Sequence, residues 1–148
     1  MQKGIAGIAA VLVGLLGLAG CGSDDSSISK QEYDQQLALV CNKGLQAREE
    51  LVEKVGREFQ EQGGKLTDAD AEENLLKLIA VYQETTEEIA DIGVPEKDAQ
   101  KAEELVQARE DAAAKVKADP RGTRESIVTI FANASKIAKE LDAKSCAT

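Results

Sequence analysis

SKQEYDQQLALVCNKGLQAREELVEKVGREFQEQGG, residues 29–64, decides the fold. Ser29-Lys30-Gln31-Glu32 has the S-x-x-E pattern of a capping box, and Ile28 and Tyr33 flank it as a hydrophobic staple. Apolar residues then recur at Tyr33, Leu37, Val40, Cys41, Gly44, Leu45, Leu51, Val52, Val55 and Phe59. That spacing is helical, and only Arg48 interrupts the stripe. Gly63-Gly64 stops the segment, because glycine accepts the left-handed backbone on which helices end. One long helix is expected.

Outward from it, the same grammar repeats. Thr67 caps a second helix, with Asp68 and Asp70 suited to the positive end of its dipole. Its stripe is Ala71, Leu75, Leu78, Ile79, Tyr82, Thr86 and Ile89, and Gly93-Val94-Pro95 stops it. Pro95 suits the first residue of a third helix. That helix has a mostly alanine face: Ala99, Ala102, Leu105, Val106, Ala112, Ala113, Val116. Alanine lets a neighbour approach closely but buries little apolar area. Asp119-Pro120-Arg121-Gly122 is a turn. Thr123 then caps a fourth helix with Ile127, Ile130, Phe131, Ala134, Ile137, Ala138 and Leu141 facing inward. Ala, Glu, Lys, Leu and Gln dominate, and β-branched runs are few, so the class is all-α. Short connections make neighbours antiparallel, which gives an up-down-up-down four-helix bundle. The competing arrangement is a three-helix bundle with the third helix loosely attached.

The first twenty residues are unlike the rest. Only Lys3 is charged, and Ile5 to Leu18 is an apolar run of about 14 residues broken by glycines, short of the ~20 that span a bilayer. That length suits the core of a signal peptide. Leu18-Ala19-Gly20-Cys21 follows and resembles a lipobox, the motif of bacterial lipoproteins. The resemblance implies that the Cys21 sulfur takes a diacylglyceryl group. It also implies cleavage between Gly20 and Cys21, and anchoring on the extracytoplasmic face of the cell membrane. Two acyl chains hold a protein stably where one does not. The expected organisation is a signal peptide at 1–20, lipidated Cys21 and a small, polar tether at 21–28, and the helical domain at 29–148. The tether reaches only ~20 Å when extended.

Cys41 and Cys146 remain. Outside the cytoplasm two such cysteines usually pair. About 22 residues separate Cys41 from the end of the first helix, and about 23 separate the start of the fourth from Cys146. At ~1.5 Å per residue the two lie at the same height if those helices are adjacent and antiparallel. A Cys41–Cys146 disulfide is therefore expected, with Tyr33 and Leu37 packing against the tail or the Gly93–Pro95 turn. In Tyr33, Cys41, the Ile92-Gly93-Val94-Pro95 turn and terminal Cys146, the body also resembles small actinobacterial helical lipoproteins, a family that implies the architecture and no activity.

The charge excludes some partners. Without Lys3 the body keeps 17 basic residues against 27 acidic ones, about −10 net. Such a surface is repelled by nucleic acid and by anionic headgroups, so contact with the membrane is expected only through the lipid on Cys21, and no nucleic-acid partner is expected. The chain has no histidine. The acidic doublets Glu49/Glu50, Glu72/Glu73, Glu87/Glu88 and Glu103/Glu104 lack the Glu-x-x-His of di-iron bundles and read as solvated faces. No metal, cofactor or catalytic residue set is expected, since no nucleophile has a base beside it and no phosphate loop is present. Arg48 on the apolar stripe reads as a side chain snorkelling at its edge, with contact to a buried ligand as the other reading. Lys65, Lys115, Lys117, Arg121 and Arg124 gather at the end away from the membrane, interleaved with Asp68, Asp70, Asp119 and Glu125. Two functions are consistent with these features, and the first is favoured. One is a non-enzymatic lipoprotein that binds a protein or cell-envelope component. The other is a carrier of a small apolar or lipid ligand between its helices, which requires an interior pocket of a few hundred Å³.

Overall fold

The computed structural model describes residues 28–147, and the described residues contain four α-helices and no strand. They are α1 (Lys30–Glu61), α2 (Asp68–Ala90), α3 (Ala99–Ala118) and α4 (Ile127–Glu140), with single 3-10 turns at Glu96–Asp98 and Lys144–Cys146. The expected signal peptide, Gly20 and Cys21 lie outside the described residues.

The helix ends follow from local chemistry. Ser29 Oγ accepts from the Glu32 amide at 3.2 Å. Thr67 and Asp70 form a reciprocal capping box, the Thr67 hydroxyl accepting from the Asp70 amide at 3.2 Å and the Asp70 carboxylate from the Thr67 amide at 3.0 Å. Gly63 and Gly64 take φ of 74° and 75°, which lets the Gly64 amide reach back to the Phe59 carbonyl.

The result is an all-α four-helix bundle. α1 packs on α2, α2 on α3, and α3 on α4. Lys43 pairs with Glu88 towards one end of α1 and α2, while Phe59 and Asp70 line a common cleft at the other, so the two run antiparallel. Lys101–Glu140 at one end and Val116 packed with Ile127 at the other show the same for α3 and α4.

The third helix is the most enclosed of the four, contrary to the three-helix alternative. Ala102, Leu105, Ala108, Arg109, Ala112, Ala113 and Val116 are all buried. Alanine on two sides allows α2 and α4 to approach it together. The first helix is the reverse case. Only Tyr33, Leu37 and Cys41 are buried along it, and Val52 is 54 % exposed, so the inward stripe expected through Val52 and Phe59 does not hold in its second half.

The fourth helix is shorter at both ends than its sequence suggests. Thr123 does not cap it: its hydroxyl donates to the Asp119 carbonyl at 2.7 Å, and residues 123–126 stay in a turn. At the other end Asp142 takes a left-handed φ of 59°, and the Ala143 amide returns to the Ala138 carbonyl. This reversal carries the tail across to α1. Cys146 there meets Cys41 with Cα atoms 5.1 Å apart, at disulfide distance. The pairing therefore does not need α1 and α4 to be neighbours, as the helix-length reasoning required. No Cα atom of α1 lies within 8 Å of one in α4, and the tail bridges them.

Two packed clusters result. Tyr33, Leu37 and Cys41 meet Ile89, Ile92, Leu105, Ala138, Ala143 and Cys146 at the end where α1 begins, with Val94 packed beside them. Ile79, Ala113 and Val116 form the second, with Tyr82, Ile127 and Phe131 against it. Every one of these core residues lies within 33–146.

Candidate functional site

The tail lies between α1 and α4, which do not touch each other. Beyond it the bundle is open on that side, as a groove of about 410 Å³. Its floor is α2, with Leu75, Leu78, Ile79 and Tyr82, and one wall is α4, with Ile127, Val128, Phe131 and Ser135. Arg48 of α1 and Ala147 of the tail complete it. Tyr82 and Phe131 meet edge to face at 4.8 Å, which shapes the deepest part. Val128 is 82 % exposed at the rim.

At its inner end the groove adjoins a second, much smaller cavity of about 30 Å³ under the tail. Cys41, Gly44, Thr85, Ser145 and Cys146 line it together with Arg48 and Arg109. Arg48, Leu78 and Tyr82 belong to both spaces. Gly44 is required here, since a Cβ at that position would run into the Thr85 side chain.

Arg109 is 3 % exposed and projects from α3 across α2. Its guanidinium lies 3.8 Å from the centroid of the Tyr82 ring, a cation–π contact. Nε donates to Thr86 Oγ1 at 2.9 Å, and Nη2 to the Tyr82 carbonyl at 3.4 Å. Both carbonyl and hydroxyl are neutral. Among the described residues no carboxylate lies within ion-pair distance of Arg109 or of Arg48. Burial lowers the Arg109 pKa, the Tyr82 side chain opposes that shift, and the nearby Arg48 charge adds to it. Burial likewise raises the Tyr82 pKa, against the pull of Arg109. The contrast within the chain is sharp: of five arginines, Arg57, Arg121 and Arg124 pair with Glu53, Glu72 and Asp68. The two that do not are the two that face the same cavity.

Arg109 was missed by pattern reading, although it sits four residues after Leu105 and four before Ala113, on the buried face of α3. A charge in the middle of an apolar stripe was the available signal. Arg48 is half-buried and lines both spaces.

The other candidate groups stay apart. Glu72, Glu73, Glu88 and Glu104 are spent on Arg121, Lys77, Lys43 and Lys101. No group of three or more metal-ligating side chains converges among the described residues. At the distal end Arg121 and Arg124 pair with acids, and Lys117 bonds Gln83 at 2.9 Å, leaving a mixed surface. No described helix is long and apolar enough to cross a membrane. No family model matches the chain, and no curated protein or solved structure is significantly similar to it.

Proposed function

We propose that this chain is a bacterial lipoprotein held on the extracytoplasmic face of the membrane by lipid on Cys21, and that its bundle binds a small apolar or lipid molecule without transforming it. The anchor rests on the lipobox-like Leu18-Ala19-Gly20-Cys21 behind a signal-length apolar run. The binding role rests on one observation, the apolar groove of about 410 Å³ between α2 and α4, a volume within the ~300–1,000 Å³ usual for small-molecule sites. The site is a groove on the side of the bundle and not the interior pocket expected of a carrier, but its size and apolar lining support the ligand carrier over the protein-binding reading. Arginine keeps its proton, so Arg48 and Arg109 supply charge for binding and no acid–base chemistry.

The test is titration of a solvatochromic apolar dye such as Nile red into the soluble chain from Gly22, which keeps the whole core. Ser135→Trp fills the groove from its α4 wall and is expected to weaken dye binding by roughly tenfold or more, ~1.4 kcal/mol. Leu39→Ser removes an apolar side chain that is 71 % exposed and outside the groove, and should change nothing. Dye binding that survives Ser135→Trp and falls with Leu39→Ser would contradict the assignment.

A further inference from the structure

We propose that the groove's ligand is a long-chain monocarboxylate, a fatty-acid anion whose tail lies along the α2–α4 lining and whose carboxylate sits between Arg48 and Arg109. This rests on the preceding reading that the groove takes an apolar molecule, and it adds the head group.

Arg109 carries the argument. A buried cation without a counter-ion is costly, and folded proteins almost always pair it. This chain has 27 carboxylates to choose from, yet none of the described ones is used. Tyr82 stacking and two neutral acceptors hold the guanidinium in place but satisfy only part of its five-donor fork. Arg48 brings a second uncompensated charge to the same cavity. Two charges of the same sign lining one cavity favour an anion there, and a planar carboxylate matches a guanidinium edge with paired hydrogen bonds.

Size selects among anions. The head cavity, about 30 Å³, has room for about two water-sized groups at ~10–15 Å³ each. A carboxylate fits such a space; a phosphate with its glycerol does not. Arg48, Leu78 and Tyr82 line both this cavity and the apolar groove, which places a head in one beside a tail in the other.

The experiment is displacement of Nile red from the soluble chain by four probes: palmitate, hexadecanol, hexadecyltrimethylammonium and a single-chain lysophosphatidate, at mildly alkaline pH. Palmitate should displace the dye at roughly tenfold lower concentration than the other three. Arg48→Gln, at a half-buried position, should erase that preference and leave hexadecanol unchanged; Arg109→Met should do the same. Equal displacement by palmitate and hexadecanol would overturn the carboxylate site while leaving a lipid groove. Stronger displacement by lysophosphatidate or the cation would also overturn it. Failure of all four to displace bound dye would remove the lipid ligand itself.

Discussion

The Arg109 guanidinium lies over the Tyr82 ring at 3.8 Å, and through this contact α3 reaches across α2 to the head of the groove. A buried charge kept for stability and one kept for a ligand respond differently to an apolar substitute. Replacing an unpaired buried ion by a hydrophobic side chain of similar size is often neutral or stabilising. Arg109→Met should therefore unfold in urea within ~1 kcal/mol of the parent chain, or later. A loss of ~3 kcal/mol or more would make Arg109 a structural tie and nothing else.

Gly44 lets α1 and α2 approach closely at Thr85. Gly44→Ala should cost about 1–3 kcal/mol, the usual penalty for overpacking. In a Thr85→Ala background most of that loss should return, because the atoms that collide are the Thr85 hydroxyl and methyl. Urea midpoints of the two single variants and the double variant measure the coupling.

Tyr33 is fully buried, and its hydroxyl has no hydrogen-bond partner. Tyr33→Phe is expected to be neutral or stabilising at neutral pH. Burial raises the Tyr33 pKa from 10.0 to about 12, with the Asp98 and Asp34 charges adding to the shift. The folded chain then holds a proton that the unfolded chain has released. That contribution is whole below pH 10 and is lost as the pH climbs to about 12. Tyr33→Phe should lose less stability than the parent chain over that window; an identical alkaline decline in both would contradict it.

Cys41 and Cys146 close a loop with a sequence separation of 105. Thiol titration of the unfolded, unreduced soluble chain should find no free sulfhydryl. Reduction should cost about 4–5 kcal/mol in the chain-entropy picture and release the tail from α1. Two titratable thiols would show that the cysteines meet without bonding.

Cys21→Ser tests the anchor. The variant should stay unprocessed or leave the membrane fraction. If it remains membrane-bound after a salt wash with the mass of the processed parent, the lipobox reading fails.

Much of this architecture was legible in residues that act locally. Ser29, Thr67 and Gly63-Gly64 mark helix ends because the atoms that satisfy each end lie within a few positions of it. What escaped lay outside the helical rhythm. Thr123 reads as a cap, but its hydroxyl turns back to Asp119. The pairing of Cys41 with Cys146 was anticipated, yet by the wrong route: left-handed Asp142 redirects the tail, a choice no periodicity encodes. α1 and α4 stay apart, and the groove lies on that side. Val52 and Phe59 keep a helical rhythm that reads as inward-facing, although no fourth helix covers them. Arg48 stood out as a break in a stripe. Arg109 did not, because alanines around it make a weak stripe in which one charge is easily passed over.

The most direct measurement is an acid titration, followed by NMR, of carboxyl-labelled palmitate bound to the soluble chain. Beside Arg48 and Arg109 the bound carboxyl should stay ionised well below the ordinary carboxylate range of ~4, and in Arg48→Gln it should move back up. A bound carboxyl that titrates as it does in water, or at higher pH, would place the head group away from both arginines and contradict the account.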